Sequence, residues 1–242
     1  MKKIFAIFFT LCSFTAFSQS PNYDQFEKEY AKGNIEVAIN YLKKALKNEE
    51  KHKGLLYAWL GDAYLKQKKF KASADCYVKV VEHTDELQNN GLIYFSIGTN
   101  YYFAQEYKKA ITYLEKSLEA GHKDSGIANN LGWCYAETKK YSKAIEYFEM
   151  AYNEDPKLIN NINNLGYAYY LNGELNKAEK LILKAQKIDA NNSFVYRNLG
   201  LIALKRKQKN KACTYLDKAI EKGIINEWGE HYIKELVLYC KK

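Results

Sequence analysis

Two prolines, Pro21 and Pro156, are all that 242 residues contain. No Gly/Ser-rich stretch takes the part of a linker, so composition marks no domain boundary. Histidine is almost as scarce. His52, His83, His122 and His231 lie far apart, and no two have the spacing that one metal ion needs. The five cysteines include no Cys-x-x-Cys pair. Neither a nucleophile-elbow pattern nor a glycine-rich phosphate cradle occurs. Carboxylates are plentiful, but a helical chain scatters them over its wet faces, so their number points to no acid–base pair. These absences lead to the expectation of a chain that is not an enzyme and carries no cofactor. The aromatic–basic signature of an RNA-binding module is also missing, so no nucleic-acid partner is expected.

Long apolar runs are confined to the start, MKKIFAIFFTLCSFTAFSQS. Lys2 and Lys3 precede an uncharged, mostly apolar stretch over 4–17, and Ala16 and Ser18 form a small-x-small cleavage pattern. This reads as a secretory signal over 1–18, cut before Gln19. The apolar stretch falls short of the roughly 20 residues that a membrane span requires. Leu11, rather than a small residue, precedes Cys12, which argues against a lipid anchor. The expectation is Sec-type export into a bacterial envelope, with the periplasm favoured over full secretion and no transmembrane segment in the mature chain. Losing Lys2 and Lys3 takes the net charge from +9 to +7 over 19–242.

What the chain has in abundance is tyrosine, 22 of them, a residue that buries a large ring and keeps a polar tip. It also has a repeat. Gly61, Gly98, Gly132, Gly166 and Gly200 fall 37, 34, 34 and 34 residues apart. An apolar residue precedes each one: Leu60, Ile97, Leu131, Leu165 and Leu199. Three residues after the Gly come Tyr64, Tyr101, Tyr135 and Tyr169, with Ala203 in the last unit. Twelve residues after it come Ser73, Ala110, Ala144, Ala178 and Ala212. Ala38 and Ala45 mark one earlier unit. Apolar positions recur at three and four residues, interrupted by polar breaks such as LNGEL, so each unit is read as two antiparallel helices with a tight turn. Gly on the first helix and Ala on the second are expected to let the two backbones close up.

These landmarks, with LGDAY, IGTNY, LGWCY, LGYAY and the closing Pro156 of EDPKL, resemble the tetratricopeptide repeat. The resemblance implies an all-α, right-handed α-solenoid of about six 34-residue helix-turn-helix repeats over 19–226. The units fall at about 19–52, 54–87, 91–124, 125–158, 159–192 and 193–226, followed by a capping helix over 227–242. Trp228, Tyr232, Ile233, Leu236 and Val237 form the apolar stripe of that cap, with Lys234, Glu235 and Lys241 off it. Phe26 stands where the family has Gly, so the first helix is expected to pack more loosely. The extra residues around His83 to Gly91 are expected to bulge.

The resemblance also implies a concave groove lined by the first helix of each unit, taking a protein or peptide partner. Carried over position by position, it assigns Phe95, Thr99, Tyr102 and Phe103 in the third unit. Asn129, Trp133 and Glu137 follow in the fourth, Asn163, Tyr167 and Tyr170 in the fifth, and Arg197, Leu201 and Lys205 in the sixth. An Asn one turn from an aromatic can read a peptide backbone and supply contact area. The same side chains would equally serve as packing between units. The family's carboxylate-clamping subtype is not implied, because Thr99, Trp133, Tyr167 and Leu201 occupy the place of its Asn.

Two further features stay open. Cys213 opens the second helix of the last unit and Cys240 lies near the end of the cap, so an antiparallel cap would allow a disulfide. The alternative is two buried thiols. Cys76 and Cys134 are expected to be unpaired core residues. Basic clusters at Lys66, Lys68, Lys69 and Lys71, at Lys139, Lys140 and Lys143, and at Lys205, Arg206, Lys207, Lys209 and Lys211 all fall at inter-helix turns. They form either a solvated edge or a weak contact with an anionic surface. Self-association within an envelope complex is the remaining structural alternative.

Overall fold

The computed structural model describes residues 21–48, 52–228 and 233–241. The expected leader over 1–18 lies outside the described residues, as does Tyr232 of the terminal stripe. Among the described residues there are fourteen α-helices, one 3₁₀ turn and no strand. None of these helices is long and apolar enough to cross a membrane. They run as α1 (Pro21–Ala31), α2 (Ile35–Asn48), α3 (Lys53–Lys66), α4 (Phe70–Glu82), α5 (Gly91–Phe103), α6 (Tyr107–Glu119) and α7 (Ser125–Glu137). Then come α8 (Tyr141–Glu154), α9 (Ile159–Leu171), α10 (Leu175–Ile188), α11 (Ser193–Lys205), α12 (Lys209–Glu221), α13 (Ile224–Trp228) and α14 (Lys234–Cys240). This is the helix-pair architecture of a helical solenoid. The chain forms two compact units, Met1–Asn130 and Leu131–Lys242. Their boundary falls inside α7, so there is no linker for composition to reveal.

Each helix pair closes in the same way. The second residue after the first helix takes positive φ: Gly33 (84°), Lys68 (56°), Gln105 (60°), Lys139 (61°), Gly173 (84°) and Lys207 (58°). At α3 the Lys68 N–H donates to the Leu65 carbonyl and the Lys69 N–H to the Tyr64 carbonyl, both at 2.9 Å. This double closure satisfies carbonyls that the helix end leaves open. Asn90 and Asn192 cap α5 and α11, their side chains accepting from the second and third N–H beyond them. The extra residues of the second repeat, expected to bulge, form the 3₁₀ turn Asp85–Leu87, which buries Leu87.

In the first unit, α1 packs on α2, α3 on α4 and α5 on α6. The loose first helix expected from Phe26 is not what the structure has. Phe26 is buried and stacks on Trp59 with ring centroids 5.5 Å apart, flanked by Tyr23 and Tyr30. A ring-on-ring contact replaces the backbone approach that Gly would permit. Asp62 of α3 accepts a short hydrogen bond from the Tyr77 hydroxyl of α4.

In the second unit, α9 packs on α10 and α11 on α12. The expected close approach is present, with a different partner in the notch. A Cβ on Gly166 would lie 2.5 Å from Ile182 Cδ1, so the glycine receives the large residue four positions beyond the small Ala178. Gly98 and Leu114 repeat this in the first unit. The terminal helix also departs from expectation. In place of one helix over 227–242, the described residues form α13 and α14, with 229–232 outside the description. Leu236 of α14 is fully buried, and its side chain reaches to within about a van der Waals contact of Gly200 on α11. Cys213 on α12 and Cys240 on α14 are joined by a disulfide, their Cα atoms 5.6 Å apart. Cys76 and Cys134 are buried free thiols, and burial pushes each up to about 12.

Candidate functional site

The first helices of the second unit place three of the expected residues in one row. Trp133 stands on α7, Tyr167 on α9 and Arg197 on α11. Trp133 and Tyr167 have ring centroids 5.7 Å apart, and the Arg197 guanidinium carbon lies 4.5 Å from the Tyr167 centroid. All three side chains are half-buried. Trp133 is held from behind, edge-on to the buried ring of Phe148 at 5.6 Å. Tyr167 is held by Tyr170, stacked at 5.8 Å. Arg197 donates to the Asn198 side-chain carbonyl at 2.8 Å. The row thus presents two rings and a cation on supports that fix their orientation. Such a surface offers contact area at low entropic cost and an electrostatic handle for an acidic or carbonyl group.

Three expected groove residues do not belong to the open row. Asn163 is 6% exposed, and its amide nitrogen faces the Asn192 side-chain oxygen at 3.4 Å. Because Asn192 caps α11, Asn163 supports the start of that helix. Its own Oδ1 is buried without a hydrogen-bond partner. Tyr170 is 5% exposed and Leu201 3% exposed, both within the apolar core of the second unit. Burial raises the Tyr170 hydroxyl pKa well above the usual phenol range. These positions share the helical face of the row but are buried.

In the first unit, Phe95, Thr99 and Tyr102 line one side of α5 and are half-buried, as is Asn129 at the start of α7. Phe95 lies 5.6 Å from the His122 ring. Thr99 accepts from the Asn130 side chain at 3.0 Å, which spends its hydroxyl oxygen on the neighbouring helix. Tyr102 and the exposed Phe103 are 5.3 Å apart.

The basic clusters are partly engaged. Lys66 sits 3.9 Å over the Tyr30 ring, Lys71 pairs with Asp75 at 2.7 Å, and Arg206 bonds both Glu179 and Asn176. Two features lay outside the expectations. One is the Asp62–Tyr77 bond, whose signal is an Asp next to the repeat Gly. The other is a cleft on the second-helix side of the second unit, whose signal is lysines three, four and three residues apart along α10.

Models of the tetratricopeptide repeat match residues 23–82 and 95–159, and again 160–192 and 195–221. Together they span well over half of the chain. Among solved structures, YrrB, described as a tetratricopeptide-repeat protein with an unusual peptide-binding site, is similar at 20% identity. The match covers 80% of this chain and 97% of that one, with a TM-score of 0.58. MamA from Desulfovibrio magneticus RS-1 matches at 19% identity over 70% of this chain and 94% of its own, TM-score 0.62. A tetratricopeptide-repeat protein from Parabacteroides merdae matches at 17% identity over 93% and 87%, TM-score 0.60. No curated protein matched. The repeat models place the chain among tetratricopeptide-repeat scaffolds for protein–protein contact, and the solved structures share its helical-repeat fold.

Proposed function

We propose that this chain, which belongs to the tetratricopeptide repeat family, is a non-catalytic adaptor of the cell envelope that holds a protein or peptide on its first-helix face. The observation that carries this reading is the row Trp133–Tyr167–Arg197, half-buried and braced from behind. Rigid aromatic and arginine anchors are the residue types that dominate binding energy at interfaces. YrrB, described with a peptide-binding site, is a precedent for such a ligand on this fold. The envelope location rests on the leader-like residues 1–18, and an N-terminus beginning at Gln19 in a periplasmic fraction is its check.

The test of binding is affinity capture from detergent-solubilised envelope with two baits, the native chain and a Tyr167→Ala, Arg197→Ala double variant of equal helicity. A partner retained by the first and weakened about tenfold or more with the second supports the reading. Equal capture by both places the binding surface elsewhere. Fold alone does not name the partner in a repeat scaffold.

A further inference from the structure

On the other side of the second unit a cleft of about 910 Å³ opens between α8 and α10, with α9 as its floor. Leu165 and Tyr169 reach it from α9. They lie about half a helical turn around from Tyr167, so the cleft is separate from the row described above. Its volume is at the upper end of what a ligand pocket needs, roughly 300–1,000 Å³.

The charge in this cleft is one-sided. Lys177, Lys180, Lys184 and Lys187 line it, spaced so that they form one stripe along α10. Glu149 is the single carboxylate in the lining, and it already accepts the Tyr169 hydroxyl at 2.5 Å. Lys177 pairs with Glu174 at 2.6 Å. Lys184 reaches across to α8 and donates to the Tyr152 hydroxyl at 2.8 Å and the Pro156 carbonyl at 3.1 Å, both neutral oxygens. Its charge is therefore held over the cleft without being neutralised. Lys180 and Lys187 have no carboxylate partner among the described residues. A cleft with low-dielectric walls and charge of one sign focuses the field on an incoming ligand.

The cleft is also apolar. Leu165 is buried at the floor, Leu181 is half-buried beside it, and Leu183 is 38% exposed at the rim. We propose that the cleft docks an acidic segment of a partner protein, its carboxylates along the lysine stripe and one apolar side chain against Leu181 and Tyr152. A peptide fits these features better than a lipid surface does. A bilayer face is flat and would meet the outer lysines, whereas the apolar floor lies between two helices.

The probe is a fluorescein-labelled peptide of sequence EDELFEDE, titrated by anisotropy against protein purified from the full-length gene at 0.15 M salt. Binding is expected to weaken tenfold or more in Lys180→Glu, Lys187→Glu. It is expected to stay unchanged in Tyr167→Ala, Arg197→Ala, and to weaken when the peptide's Leu-Phe becomes Ser-Ser. Should charge reversal lower helicity, Lys180→Gln with Lys187→Gln carries the same comparison. Absence of binding, equal binding by the lysine variants, or loss in the Tyr167 variant overturns the proposal. Indifference to the Ser-Ser change, with the same lysine dependence on phosphatidylglycerol vesicles, also overturns it in favour of a general anionic contact.

Discussion

The ring of Phe148 occupies the space that a side chain at Gly132 would need: a Cβ there would lie 2.6 Å from Phe148 Cε1. Gly in mid-helix is about 1 kcal/mol worse than Ala on propensity alone. Overpacking a filled core costs about 1–3 kcal/mol, so sterics outweigh propensity here. Gly132→Ala is expected to lower stability in urea unfolding, and Phe148→Leu in the same chain is expected to recover part of the loss. A more stable Gly132→Ala protein would show that Phe148 is not what requires the glycine.

Lys139 sits at φ 61° in the turn where the neighbouring pair uses Gly173 at 84°. A left-handed conformation strains a residue bearing Cβ by roughly 1–2 kcal/mol. The extra freedom that Gly brings to the unfolded chain takes back about 0.4–1 kcal/mol. Lys139→Gly is therefore expected to stabilise by about 0.5–1 kcal/mol, and Gly173→Lys to destabilise by a similar amount. Chemical denaturation midpoints at constant m-value measure both.

Asp62 is half-buried. Desolvation lifts its carboxyl above the ordinary 3.8, and the Tyr77 hydrogen bond and the Lys66 charge oppose this only in part. A raised carboxyl means that the folded state holds the proton more tightly. The stability this contributes is complete below 3.8 and is lost as pH rises through the folded value. Asp62→Asn keeps an acceptor for Tyr77 and removes the partly desolvated charge. Its melting temperature is expected to exceed that of the native chain near pH 7, with the gap closing as pH falls below about 4. A gap that widens in acid would reverse the sign of the argument.

Cys213 and Cys240 close a loop of sequence separation 27. On the chain-entropy account a loop of that size adds about 3–4 kcal/mol. Cys240→Ser is expected to lower the melting temperature, and reductant is expected to lower that of the native chain but not of the variant. Intact mass is expected to rise by two hydrogen atoms on reduction, as the reductant supplies two electrons and two protons accompany them; no change would mean the thiols are free.

The repeat and its helix pairs were legible because sterics hold small residues at fixed offsets, as Gly98, Gly132 and Gly166 show against Leu114, Phe148 and Ile182. What fills each notch was less legible, since Tyr77, Leu114, Phe148 and Ile182 share size without sharing chemistry. The candidate groove residues divide by burial. Trp133, Tyr167 and Arg197 form one row. Asn163, Tyr170 and Leu201 share their helical face but are buried, because periodicity gives the direction of a side chain and not how closely the next helix covers it. The aromatic seating of Phe26 escaped for a related reason: its partner Trp59 lies on a different helix pair.

The most direct measurement is site-specific photo-cross-linking in intact cells, with benzoyl-phenylalanine at position 167 on the first-helix row and, separately, at the exposed position 214 on α12. The account predicts one discrete adduct from position 167, lost with Arg197→Ala, and none of that mass from position 214. The same adduct from both positions, or from 214 alone, would contradict the claim that this row holds the partner.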